Sequence, residues 1–186
     1  MSKHVARNKL NRRIKSSLSP SVGHSHRVDL VGEHPFGDTG QLILLLVFLA
    51  VWVMDSFILR FSTFGAEYVS LIVRLPLGIL VLIVAGYLAL QGMKVVFGEE
   101  RSEPMVIKEG VFNFVRHPVY LGCILFYIAL AIFSLSLSAS VICITIVVFY
   151  HYIAKYEEKL LLLKFGSEYE KYMKSVPMWI PRLHFK

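Results

Sequence analysis

The sequence predicts an all-α integral membrane protein with about four transmembrane helices. The last two form a helical hairpin, and a cytoplasmic C-terminal helical segment lies over their ends as a lid. Three observations lead there. Hydrophobic residues make up 55% of the 186 residues, and mean hydropathy is +0.59, more than an ordinary soluble domain needs. The apolar residues fall in long runs almost free of charge, which lipid solvation explains better than a large buried core. Lys and Arg gather at alternate ends of those runs, as they do where one face of a membrane protein is cytoplasmic.

Residues 1–40 form a basic tail, with seven Lys and Arg against three acidic residues, a net +4. They lack apolar periodicity and are expected to be disordered and cytoplasmic. The tail is read as a topology signal rather than a nucleic-acid arm, and His24 and His26 alternate without a metal-ligand pattern. No apolar run follows the charges closely enough for a signal peptide. Cys123 and Cys143 lie in apolar runs and suggest neither a disulfide framework nor a zinc site.

The transmembrane domain is expected over 41–155. Gly37-Asp38-Thr39-Gly40 reads as a turn, and the first span follows at about 41–59. Asp55 is its one acidic residue, expected to pair with Arg60 or reach the interface. The second span covers about 68–93, with Pro76 tolerable in its first turns and Gly78, Gly86 and Gly92 permitting close helix packing. A polar connection follows, rich in Glu, Lys and Arg. The next apolar run, 119–152, would make one helix of roughly 50 Å, against a hydrocarbon core of about 30 Å. It should break at Ser134-Leu135-Ser136-Leu137-Ser138, giving spans at about 118–134 and 137–155. With four spans, both termini and the polar connection fall on the cytoplasmic face.

Residues 156–186 leave the bilayer. Gly166 is a helix C-cap signal, and Ser167 and Glu170 have capping-box spacing for a new helix. Tyr169, Tyr172, Met173 and Val176 share one face of it. Pro177 stops it, and Trp179 suits a membrane interface.

Two clusters can carry chemistry. Arg116-His117-Pro118-Val119-Tyr120 opens the hairpin. Pro118 fits a helix N-terminus, whose free N–H groups suit a carboxylate. His151, Lys155, Glu157 and Glu158 close the hairpin, with His151, Lys155 and Glu158 on one face. A hairpin brings its two ends together, so both clusters should meet at the cytoplasmic interface. By residue type alone, both also suit interfacial anchors and a solvated helix end. The sequence has no dinucleotide fingerprint, phosphate-binding loop or HExxH zinc motif.

The order RHPVYLG (116–122), hairpin, then EEKLLLLKFGSEYEKYMKSVPMWIP (157–181) resembles the isoprenylcysteine carboxyl methyltransferase and phospholipid methyltransferase superfamily. The resemblance covers roughly 94–182. It implies an integral membrane enzyme that uses S-adenosylmethionine. It also implies a cofactor site near the cytoplasmic interface, formed by His117, Tyr120, Glu157, Glu158, Tyr169 and Tyr172, with Phe165, Gly166 and Pro181 in the lid pattern. Glu158, His151 and Arg116 are the candidate reacting groups: His151 or a Glu as base, Arg116 or Lys155 to orient a carboxylate acceptor. Prenylcysteine-directed relatives often carry an Arg just before the acidic pair, and none stands between Phe149 and Glu158 here. The implied acceptor is lipophilic or small, an isoprenylcysteine carboxylate or a lipid amine among the candidates, and membrane lipid is the implied surrounding. The competing expectation is a non-catalytic membrane scaffold or assembly protein that retains the fold.

Overall fold

The computed structural model describes residues 37–98 and 103–181. The tail up to residue 36, with its histidines and its expected disorder, and Glu99, Glu100 and Arg101 lie outside the described residues. Among the described residues every regular element is helical. Helix α1 spans Gly37–Val53 and continues as a π-helical turn, Met54–Leu59; α2 is Leu71–Phe97, α3 Pro118–Ser134, α4 Leu137–Phe165 and α5 Ser167–Ser175. One helical turn at Gly65–Tyr68 and a 3-10 turn at Gly110–Asn113 complete the set. Gly37–Leu59, Leu71–Phe97 and Leu137–Phe165 are long and apolar enough to cross a membrane; α3 is a shorter apolar helix of 17 residues.

The helix ends follow from local chemistry. Ser70 caps α2 by accepting from the Ile72 N–H, and Pro76 lies inside the helix, past its first turn, where it forfeits one intrahelical hydrogen bond. Pro118 occupies the first position of α3, behind a non-helical His117. The long apolar run breaks where expected: Leu135 turns left-handed (φ 50°) and Ser136 caps α4, accepting from the Ala139 N–H at 3.0 Å. At its other end α4 stops at Gly166, with φ 54°.

Some boundaries differ from the sequence reading. Residues 37–40 are the first turn of α1 rather than a turn before it, and α2 begins at Leu71 and runs to Phe97. Helix α4 continues unbroken to Phe165. The capping box at Ser167 and Glu170 does not form. Gly166 joins α4 directly to α5, so Ser167 is already helical, and Glu170 pairs instead with Lys174.

Helices α2 and α3 pack along each other at very close range. A Cβ on Gly122 would lie 2.7 Å from the Ala85 carbonyl oxygen, backbone against backbone. Gly86, expected to serve this packing, faces open space. Phe48 of α1, Ile124 and Tyr127 of α3, and Ile146 and Tyr150 of α4 form the main core. Leu42, Ile72, Ile83 and Leu90 point outward from α1 and α2, as lipid-facing side chains do.

Asp55 departs from expectation. It is buried, and it accepts from the Ser62 N–H at 2.9 Å and from the hydroxyls of Ser62 and Ser136. Ser62 also accepts from the Ser138 N–H at 2.9 Å. A carboxylate deep in an apolar segment is tolerable when several donors satisfy it, and here it ties the end of α1 to the α3–α4 turn.

Candidate functional site

At the other end of the bundle a cavity of about 370 Å³ opens between elements distant in sequence. Its wall includes Asp38 and Gln41 of α1, Phe97 of α2, Met105–Ile107, Arg116–Tyr120, and Glu157, Leu161 and Phe165 of α4. Tyr169 and Tyr172 of α5 complete it.

Arg116 and His117 immediately precede α3, so Pro118 fixes where they stand. His117 is buried, with Nδ1 3.8 Å from Glu157 and Nε2 3.5 Å from Glu158. Neither is hydrogen-bond distance, and the buried Nε2 has no hydrogen-bond partner among the described residues. Burial holds the imidazole below the usual histidine range, against the upward pull of Glu158. It is therefore neutral at neutral pH. Its ring stacks on Tyr120, 5.8 Å away and nearly parallel, and it also lies 5.8 Å from the tilted Trp179 ring. No side chain caps the N-terminus of α3, whose first residues border the cavity.

The neighbouring glutamates play different geometric parts. Glu157 lines the cavity and accepts from the Tyr120 hydroxyl. Glu158 is 1% exposed and stands behind the wall, taking Arg116 Nε and Nη2 on Oε1 at 2.7 Å and Lys155 Nζ on Oε2 at 3.1 Å. Adjacent helical positions are separated by about 100°, enough to send one carboxylate into the cavity and its neighbour into the protein.

Helix α5 is held by its tyrosines. Tyr169 and Tyr172 are buried against Val106 and Val176, and the Tyr172 hydroxyl donates to the Phe112 carbonyl at 2.7 Å. Burial raises both phenols above the usual tyrosine range, so they present uncharged rings.

The structure thus brings Arg116, His117, Tyr120, Glu157, Tyr169 and Tyr172 to one cavity. His151 and Glu158 do not line it. His151 is exposed, and its Nδ1 accepts from Trp179 Nε1 at 3.1 Å. Asp38 and Gln41 were not foreseen. The available signal was an acidic residue and an amide just ahead of a charge-free run, on the face that carries the two clusters. Helix α1 approaches closely here, since a Cβ on Gly40 would lie 2.5 Å from the Phe149 ring. Gln41 receives the Tyr150 hydroxyl at 3.4 Å.

The chain is similar to known proteins in sequence and in fold. The phospholipid methyltransferase family profile matches residues 73–168. A methanethiol S-methyltransferase of Crocosphaera subtropica is 30% identical over 159 residues, 80% of this chain and 53% of that one. The structure of the eukaryotic intramembrane Ras methyltransferase, isoprenylcysteine carboxyl methyltransferase, aligns at a TM-score of 0.59 with 21% identity. That alignment covers 77% of this chain and 52% of the other, and shows a common fold. The chain spans about half the length of each.

Proposed function

We propose, since this chain belongs to the phospholipid methyltransferase family, that it is an integral membrane methyltransferase that draws its methyl group from S-adenosylmethionine. One observation carries the proposal: six side chains from three separate sequence regions converge on one cavity that holds a carboxylate, a neutral imidazole and two buried tyrosines.

The residues fit such a cofactor. The uncapped N-terminus of α3 suits its carboxylate, and the buried Nε2 of His117 lacks a hydrogen-bond partner among the described residues. Glu157 and Asp38 suit its ammonium or ribose hydroxyls. Tyr169, Tyr172 and Phe165 supply aromatic faces for a sulfonium. When bound, S-adenosylmethionine supplies a methyl group activated by the positive sulfur. The chain's own contribution is to position the reactants and exclude water, which can be worth up to roughly 7–11 kcal/mol in favourable geometries.

For the acceptor, the state of Arg116 is informative. Its guanidinium is already engaged by Glu158 and two carbonyls, which argues against a role in orienting an acceptor carboxylate. An uncharged nucleophile, such as the small thiol named for the Crocosphaera relative, suits this wall better. A thiol must lose a proton, and Glu157, a carboxylate on the cavity wall, suits the role of base.

The test is S-adenosylmethionine binding by the purified protein in detergent, with His117→Ala and Glu157→Gln alongside. Saturable binding weakened in both variants is expected. A folded wild type that binds none would overturn the proposal in favour of a non-catalytic scaffold.

A further inference from the structure

Helix α5 is short, yet it contributes two of the cavity's aromatic residues. A helix of this length is unstable alone, so something must hold it. Its C-terminal carbonyls would ordinarily be capped locally or by water. Here they are not. Arg116, 57 and 60 residues away, sends Nη1 to the Met173 and Val176 carbonyls at 2.8 Å each. The backbone N–H of the same residue donates to the Pro177 carbonyl at 3.0 Å. The opposite edge of the guanidinium holds Glu158 on α4. Its side chain is only 8% exposed.

We infer that Arg116 is a positioning residue: it caps α5 from across the fold, anchors it to α4 through Glu158, and so sets cofactor affinity without touching the acceptor. This rests on the methyltransferase reading above. A guanidinium is suited to the task because its planar fork serves three acceptors in different directions, while the charge also favours the negative end of a helix dipole. An ammonium keeps the charge but can span neither the two carbonyls nor both sides of the junction. Tyr172 on Phe112 and the exposed Lys108–Glu168 pair (2.7 Å) tether the start and middle of α5, leaving the Met173 and Val176 carbonyls at its C-terminal end to Arg116.

The experiment uses the full chain in detergent, comparing wild type with Arg116→Lys and Arg116→Gln. Arg116→Lys retains a cation beside Glu158 and so keeps the test open if Arg116→Gln does not fold. S-adenosylmethionine affinity is measured by calorimetry, which reports the folded fraction, and amide hydrogen exchange is followed over residues 167–177 without ligand. Arg116→Lys should weaken binding by about tenfold or more and speed exchange in 167–177, with exchange in α2 and α3 unchanged. Faster exchange at unaltered affinity would make Arg116 merely structural and overturn the inference. Weaker binding with unaltered exchange would make it a direct contact, which also overturns it. A wild type that binds S-adenosylmethionine while Arg116→Lys matches it in both readouts overturns this inference alone. A wild type without binding overturns the methyltransferase reading and this one together.

Discussion

Single residues on the cavity wall have separable tasks. Glu157 accepts from Tyr120 and faces the cavity. Glu157→Gln keeps the size and removes the charge, so a cofactor held by a charged hydrogen bond should bind about 10- to 100-fold more weakly, from the roughly 1.5–3 kcal/mol such a bond supplies. Calorimetric titration of the variant checks this. His117 gives a pH prediction. Burial lowers its folded pKa below the ordinary 6.5, so on acidification the unfolded chain takes up the proton first. Its contribution to stability is complete above that ordinary value and declines as pH falls through it toward the lower folded one. Unfolding midpoints measured from pH 7.5 downward should fall with a component that His117→Asn removes.

At the scale of elements, the α2–α3 contact is the most demanding. Gly122 places backbone against the Ala85 carbonyl, with no flexible side chain available to yield. Gly122→Ala should therefore cost about 1–3 kcal/mol of overpacking, read as a lowered denaturation midpoint in detergent. Gly86→Ala, on the open side of α2, should leave that midpoint unchanged or raised. Helix α5 shows a different dependence. Its apolar face was readable as a 3.6-residue period, but the Ser167–Glu170 box expected at its start does not form, and the Met173 carbonyl at its other end is held by Arg116 from across the fold.

At the scale of the molecule, the two ends of the bundle are chemically distinct. One holds the cavity; the other holds the Asp55, Ser62, Ser136 and Ser138 knot. Ser136 caps α4 and Glu157 lies well along the same helix, roughly 30 Å away at its rise per residue. Asp55→Asn should thus lower stability by about 1–3 kcal/mol while leaving S-adenosylmethionine affinity unchanged. Paired unfolding and binding measurements on that variant distinguish a stability role from a role in the site. The apolar exterior of α1 and α2 and the helices long enough to span a bilayer make this an integral membrane protein.

The sequence by itself determined the helical class, the apolar runs and the break at Ser134–Ser138, because each depends on properties local to a segment: hydropathy against lipid, run length against bilayer thickness, and capping chemistry. It also brought out the residues of the two clusters. Only the tertiary structure decided which of them face the cavity. Glu157 and Glu158 are neighbours of identical type, and rotation of α4 against α3 sends one to the cavity and the other to Arg116. His151 shares the face of Lys155 and Glu158, and that face turns away from the cavity toward Trp179. Asp38 joins the wall because α1 packs against Phe149, a contact more than a hundred residues away in sequence. Such orientations are set by the joint packing of several helices, and the pattern within any one of them does not contain that information.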